Sequence, residues 1–348
     1  MTNNLSKIKE LPFVSICTVT FNRRPFFEYL IKSILQQTYQ GKIEWIIIDD
    51  GTDKVKDLVS HLDFVKYYEC NEKMTISKKR NLSNSLSTGD YIIYFDDDDY
   101  YPPQRIEHAV ELLEKNPEYL IAGCNTMFIY YKDKKLMYSF GPYGKYHSTA
   151  ATFAFRRDLL EITEFNENDC LSEEKFFLKN YTIPLIQLNP LLSILVFRHI
   201  HNSFDKNELL NPNINSLSCL REDVKVEDFI KDNELKIFYS EEIDNYLLPY
   251  KCGEIKNKPD ILNHIKITNE KRKQQSLIYN KKKEDDNDSK KSEKMYDKEY
   301  VDNLIKKYED MIEKKSILIQ NLLLKIKSLN ENKQSIDLNF VGERNMKK

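Results

Sequence analysis

Asp96-Asp97-Asp98-Asp99 is a run of four carboxylates placed directly behind a β-branched and aromatic stretch, Tyr91 to Phe95. Carboxylates this close repel one another unless a cation lies among them. Hard divalent cations such as Mg2+ and Mn2+ take oxygen ligands of this kind, so the run points to metal chemistry. A solvated turn, or the cap of a helix starting near Pro103, would use the same residue types. Tyr91 to Phe95 is short, apolar on both alternating faces and preceded by Gly89-Asp90. That pattern predicts a buried central strand. Open α/β sheets bind ligands at the carboxyl ends of their strands, which would put the acidic run at the lip of a sheet.

Two further predicted strands end in polar groups. Residues 13–20 form an apolar, β-branched run that leads into Thr20-Phe21-Asn22 and is broken by Arg23-Arg24-Pro25. Residues 43–48 form a second, ending in Asp49-Asp50-Gly51-Thr52-Asp53. Helical spacing of Phe26, Leu30, Ile34 and Leu35 separates them, and a third strand near 65–68 precedes a helix through Lys79-Arg80-Asn81. Strands alternating with helices predict βαβ units and a mostly parallel sheet flanked by helices. After a helix near 103–115, residues 120–131 and 136–140 read as a hairpin, 141–148 as a loop and 149–155 as a strand. Glu173-Glu174 open a short helix that Ser172 would cap, and 185–188 and 194–198 are short strands.

This organisation predicts one domain over 1–205, nucleotide-binding in its first half and substrate-binding in its second. A partly helical extension and linker follows over 206–280. Residues 281–335 read as a charged linker plus a coiled-coil helix, and 336–348 as a disordered tail. Ile305, Ile312, Ile319 and Ile326 recur every seven residues, with Val301, Tyr308, Lys315, Leu322 and Leu329 as the companion series. That heptad favours a parallel homodimer through the C-terminal helix, with a helix packed on its own domain as the alternative.

Net charge is −2, so no basic field invites nucleic acid. Six cysteines are scattered without a CxxC, which fits a reduced intracellular protein. Residues 1–10 lack the apolar core of a signal peptide. The apolar stretch 183–196 is interrupted by Pro184, Gln187, Asn189 and Pro190, too short and broken to span a bilayer. A cytoplasmic location is expected.

Five blocks, VSICTVTFNRR, EWIIIDDGTD, ISKKRNLSNSLSTGDYIIYFDDDDYYPP, AATFAFRR and LSEEKFFL, fall in order across residues 13–180. In that order they resemble family 2 glycosyltransferases of the GT-A fold. One departure is Val19, where the first block commonly carries Pro. The resemblance implies a metal-dependent, inverting transfer of a sugar from a nucleotide-sugar, a UDP-sugar first, to an acceptor hydroxyl of a glycan, protein or lipid. It implies a DxD motif at Asp96-Asp97-Asp98, with Asp98 binding Mn2+ or Mg2+, Asp96 touching ribose or metal-bound water, and Asp99 a secondary ligand. Asp49 or Asp50 would accept a hydrogen bond from a uracil N–H, since a carboxylate only accepts. Thr20, Phe21 and Asn22 would lie beside that ring, and Arg80 against the nucleotide.

The resemblance also implies an acidic pair carrying the base, here Glu174 first and Glu173 next. The family more often has Asp at the second position. A further metal ligand is implied in Arg198-His199-Ile200-His201: His199 is preferred over His201, and alternation on an extended segment would put both on one face. His147, Tyr143 and Tyr146 lie in the 141–148 loop, a candidate lid over the acceptor. Two other classes use similar parts. A nucleotidyltransferase would need a glycine-rich phosphate loop, and Thr18 to Pro25 has no glycine. A non-catalytic nucleotide-binding scaffold would oligomerise through the C-terminal helix.

Overall fold

The structure is a computed structural model describing residues 10–212, 215–268 and 270, with scattered helical positions between 302 and 319. Seven strands form the main sheet in the order β3-β2-β1-β4-β8-β5-β9. These are β1 Val14–Thr20, β2 Ile43–Asp49, β3 Val65–Glu69, β4 Tyr91–Tyr94, β5 Ile121–Gly123, β8 Ala154–Arg156 and β9 Leu185–Gln187. β1, β2, β3 and β4 pair in parallel. β8 runs antiparallel to both β4 and β5, and β5 pairs parallel with β9. A second sheet, β10-β6-β7-β11, contains β6 Met127–Tyr131, β7 Leu136–Phe140, β10 Val196–Arg198 and β11 Ser218–Leu220.

The central strands are apolar on both faces because both faces are covered. One face carries Val14, Ile16, Trp45, Ile47 and Ile93; the other carries Cys17, Ile46, Ile48, Ile92 and Tyr94. The first packs against α1 Arg24–Leu35, α2 Lys56–Val59 and α4 Arg105–Lys115, through Phe27, Leu30, Val59, Ile106 and Leu113. Pro25 near the N-terminus of α1 suits the first turn, whose N–H groups lack partners in any helix. Buried hydroxyls stitch three strands: Trp45 Nε1 donates to Thr18 Oγ1 at 2.9 Å, and Thr18 Oγ1 donates to Phe95 O at 2.8 Å. α3 Ile76–Leu86 is capped by Thr75, whose Oγ1 accepts from Lys78 N at 3.1 Å.

Three expectations change. Residues 120–131 divide between the two sheets, so only β6 and β7 form the hairpin. The expected strand over 149–155 is a 3-10 turn, Ala150–Thr152, followed by the short β8. Residues 206–270 do not separate from the first 205: Met1–Glu270 is one compact unit and Lys271–Lys348 another. The short helices Val226–Phe229, Asn233–Ile237 and Ile243–Leu247 bury Phe229, Leu235, Ile243 and Leu247 in a third core cluster with Phe26, Tyr100 and Phe197. Tyr239 Oη donates to Asp99 O at 3.2 Å, which links this layer to the acidic run.

In the second unit Ile305, Ile312 and Ile319 are exposed at 50%, 65% and 57%. Val301, Leu322, Ile326 and Leu329 lie outside the described residues, as do the charged linker and the tail. Among the described residues no helix is long and apolar enough to cross a membrane.

Candidate active site

The parallel register aligns Thr20 with Asp49 and places the ends of β1, β2 and β4 at one edge. A cavity of ≈ 240 Å³ opens there, lined by Asp96, Asp97, Asp98 and Asp99. Phe21 and Arg23 enter from β1, Lys73 and Lys79 from the α3 side, Glu173 from the later half, and Lys206, Lys258 and Asp260 from the C-terminal layer. The lining thus mixes five cations with six carboxylates.

Burial splits the four aspartates. Asp97 is pushed up to about 7 by burial and by the adjacent Asp98 charge, and Asp99 is raised well above the usual range for the same two reasons. Burial also raises Asp96, against the pull of Arg80. Asp98 is instead held well below the usual range, because bonds from His199 and the charge of Arg23 outweigh burial. Arg23 Nη2 lies 3.3 Å from Asp98 Oδ2, and Arg23 Nε lies 3.6 Å from Asp97 Oδ1. Asp98 is therefore the aspartate whose ionised form this site favours most.

His199 Nε2 is 3.1 Å from the same Asp98 oxygen. Burial pushes His199 down to about 3, so the imidazole is neutral near pH 7. The His201 backbone N–H donates to His199 Nδ1 at 3.2 Å and orients the ring. With Nδ1 accepting that N–H, the neutral ring carries its proton on Nε2 and donates it to Asp98. His199 therefore orients the carboxylate and, as placed here, offers no free nitrogen to a metal, against the sequence expectation that it is a ligand. Among the described residues no three His, Cys, Asp or Glu side chains form a ready cage. His201 does not share the face of His199. The chain turns after β10, His201 O accepts from Arg23 Nη2 at 2.9 Å, and its ring lies 6.4 Å from Tyr250.

The two acids ending β2 have different tasks. Asp49 Oδ1 accepts from Gly51 N at 2.8 Å, and its Oδ2 accepts from Val55 N at 3.1 Å and Tyr67 Oη at 2.6 Å. It builds the βα turn and keeps no face toward the cavity. Asp50 accepts from Lys79 Nζ at 2.7 Å, Met74 N at 2.7 Å and Lys73 Nζ at 3.3 Å. Lys73 and Lys79 line the cavity, and Lys73 Nζ sits 4.6 Å over the Phe21 ring. Asn22 is also occupied structurally. It adopts φ 52, and its Oδ1 accepts from Thr52 N at 2.7 Å and Asp53 N at 2.9 Å. Thr20 is buried, and its carbonyl accepts from Lys79 Nζ at 3.0 Å.

Arg80 is not a surface helix residue. It is 2% exposed, stacks 4.6 Å from the Tyr94 ring and bridges Asp96 Oδ1 and Glu173 Oε1, each at 3.1 Å. It supports the cavity wall from behind, outside the lining. Glu173 is buried and committed to Arg80, whereas Glu174 is half-buried. Burial and the neighbouring Glu173 push Glu174 up to about 8. The helix carrying it, Glu174–Phe177, is only four residues long. Ser172 does not cap it: Ser172 has φ 58, and Lys179, Asn180 and Tyr181 follow with φ 48, 56 and 61. Left-handed residues without glycine on both sides of the acidic pair mark a strained turn, which persists only where the surroundings enforce it.

The 141–148 loop stands on the same side as that turn. His147 is stacked between Tyr143 and Tyr181, with ring centroids 4.7 and 4.6 Å away. Tyr146 packs against the core instead. Sequence reasoning passed over Arg23, Lys73, Lys79, Lys206, Lys258 and Asp260. Arg23 and Lys79 lie inside two of the resembling blocks, but nothing in the polar run 256–260 marks Lys258.

The family described as Glycosyl transferase family 2 matches residues 15–163. A glucosyl-dolichyl phosphate glucuronosyltransferase of Haloferax volcanii is 33% identical over 114 residues, 32% of this chain and 36% of that protein. A putative teichuronic acid biosynthesis glycosyltransferase of Bacillus subtilis, TuaG, is 27% identical over 124 residues, 33% of this chain and 48% of that protein. The chain thus matches less than half the length of either relative. Among solved structures, a mannosyltransferase of Pyrobaculum calidifontis in complex with GDP-Man and Mn2+ aligns with a TM-score of 0.44 and 19% identity, over 54% of this chain and 57% of that one. Residues 15–163 are thus similar to glycosyl transferase family 2, and three of the five motif blocks contribute residues to the cavity lining.

Proposed function

We propose that this protein transfers a sugar from a nucleotide-sugar to an acceptor hydroxyl, with inversion in a single displacement. The observation that carries the reading is the strand-end cavity, where one strongly ionised aspartate, Asp98, backed by the buried neutral His199, lies among five cations. Asp98 is the residue suited to hold Mn2+ or Mg2+, with His199 orienting its carboxylate and Asp96 and Asp99 nearby. A divalent cation there supplies Lewis-acid stabilisation to a departing diphosphate. Phe21 offers a ring face for the base at the cavity mouth, and Asp50, buried behind the lining, fixes the two lysines beside that ring rather than reaching the base itself. Arg80 holds Asp96 and Glu173 in place.

Glu174 is the proposed base. It lacks an ion pair among the described residues, and its raised pKa places proton uptake near neutral pH. In this reading it takes the proton of the acceptor hydroxyl as the oxygen attacks the anomeric carbon. The test is calorimetric titration with UDP, GDP, CDP and dTDP, with Mn2+ and with EDTA, on the wild type and Asp98→Asn. One nucleotide should bind the wild type with metal and lose most of that affinity in EDTA and in the variant. Binding of none of the four would refute the reading.

A further inference from the structure

Beyond the family-matched segment, two 3-10 turns, Lys251–Gly253 and Ile255–Asn257, lead into residues 258–261, which wall the cavity. This strap is pinned at several points. Asn22 Nδ2 donates to Cys252 O at 3.0 Å, Tyr250 Oη donates to Asp53 Oδ2 at 2.8 Å, and Lys73 Nζ lies 3.4 Å from Asp260 Oδ2. Gly253 packs so closely that a Cβ would lie 2.7 Å from His201 Nδ1 and 3.0 Å from Asn22 O.

The pinning holds Lys258 at 5% exposure against the cavity. Its ammonium donates to Ser203 Oγ at 2.8 Å and forms no ion pair among the described residues. Arg23 is 4% exposed and also lines the cavity. Its Nε and Nη2 serve Asp97, Asp98 and the His201 carbonyl, yet its Nη1 is buried without a hydrogen-bond partner. Arg23 Nη1 is a buried cationic donor left without an acceptor, and Lys258 is a buried ammonium whose hydrogen-bond acceptor is a neutral hydroxyl; side by side on one cavity the two are suited to a further anion. Burial and the charge of Arg23 hold the Lys258 ammonium well below its usual pKa, a strain that an anion shared by both would relieve.

We infer that Lys258 and Arg23 Nη1 bind the diphosphate of the nucleotide donor, so that the strap completes a nucleotide site begun by the sheet. The inference rests on the function proposed above. A lysine ammonium meets phosphate oxygens as a compact charge with several donors, and Arg23 supplies the directed N–H. Lys258 does this from sequence that carries no family motif.

The test uses the full chain. Whichever of UDP, GDP, CDP and dTDP binds the wild type, and separately its nucleoside, is titrated at one fixed Mg2+ concentration into the wild type, Lys258→Gln and Lys258→Arg. Lys258→Gln should weaken diphosphate binding roughly 10-fold or more while leaving nucleoside binding unchanged, and Lys258→Arg should keep most of the affinity. Equal diphosphate affinity in Lys258→Gln and the wild type overturns the inference and leaves the proposed function standing. Failure of the wild type to bind any of UDP, GDP, CDP and dTDP overturns the proposed function, and this inference with it. Amide exchange on the wild type gives a readout independent of variant folding. The diphosphate that binds should slow exchange across residues 251–261, and unchanged exchange there counts against the strap.

Discussion

Replacing Arg80 with Met removes a buried guanidinium while keeping a long apolar stem against Tyr94. The side chain is 2% exposed and answers two carboxylates, Asp96 and Glu173, each at 3.1 Å. Removing one partner of a buried pair costs ~3–5 kcal/mol, because the remaining charge stays desolvated. The Asp96 side chain is 23% exposed and can draw partly on water, which favours the lower end, about 3 kcal/mol. For a domain of this size ~1 kcal/mol corresponds to ~2–4 °C, so Arg80→Met should melt ~6–12 °C below the wild type.

The deficit should also depend on pH. Arg80 lowers the pKa of Asp96, which burial already raises, so the variant raises it further. An acid with a raised folded-state pKa keeps its proton where the unfolded chain has lost it, so folding is penalised as pH rises through that interval. Urea titrations of the wild type and Arg80→Met at about pH 5 and about pH 8 should therefore show the larger gap at the higher pH. A gap below ~1 kcal/mol at both values would put this bridge in the class of surface pairs and refute the reasoning.

Two other perturbations follow from named contacts. Glu174→Gln should lower transfer by ~10²–10⁴-fold with nucleotide affinity unchanged. The wild-type rate should rise with pH toward about 8 as Glu174 loses its proton, and that limb should vanish in the variant; a rise that persists assigns it to another group. Gly89→Ala places a Cβ 2.6 Å from Ser15 N and 2.8 Å from Phe13 O, both backbone atoms of the central sheet. Thermal melting should show a loss of about 1–3 kcal/mol, and a neutral outcome would mean that the β1–β4 junction yields more easily than its packing indicates.

The strand-end chemistry was readable because it is local. An apolar run predicts a buried strand, and in a parallel sheet the residues just past its end must stand at one edge, whatever the rest of the chain does. Thus β1, β2, β4 and the Asp96–Asp99 run are legible in the sequence itself, whereas the role of the acidic pair at 173–174 is marked only by the family resemblance. Which carboxylate does what was not. Asp49 and Asp50 are neighbours in the same turn, yet one is spent on backbone amides and Tyr67, the other on two lysines beside the cavity. The alternating-face reading of His199 and His201 failed because the backbone turns between them.

Amino-acid order alone determined the α/β class, the ligand-bearing edge and the residue types gathered there, through side-chain periodicity and strand ends, which are short-range properties. Tertiary structure decided the charge balance. Arg80 reaches Glu173 across 93 positions, His199 reaches Asp98 across 101, and Lys258 comes from a polar stretch that reads as linker. Charged residues are exposed by default, so no local pattern separates a solvated lysine from one pressed into a cavity. The distinction is made by long-range packing, which removes the water and leaves each ionised group to find its partner.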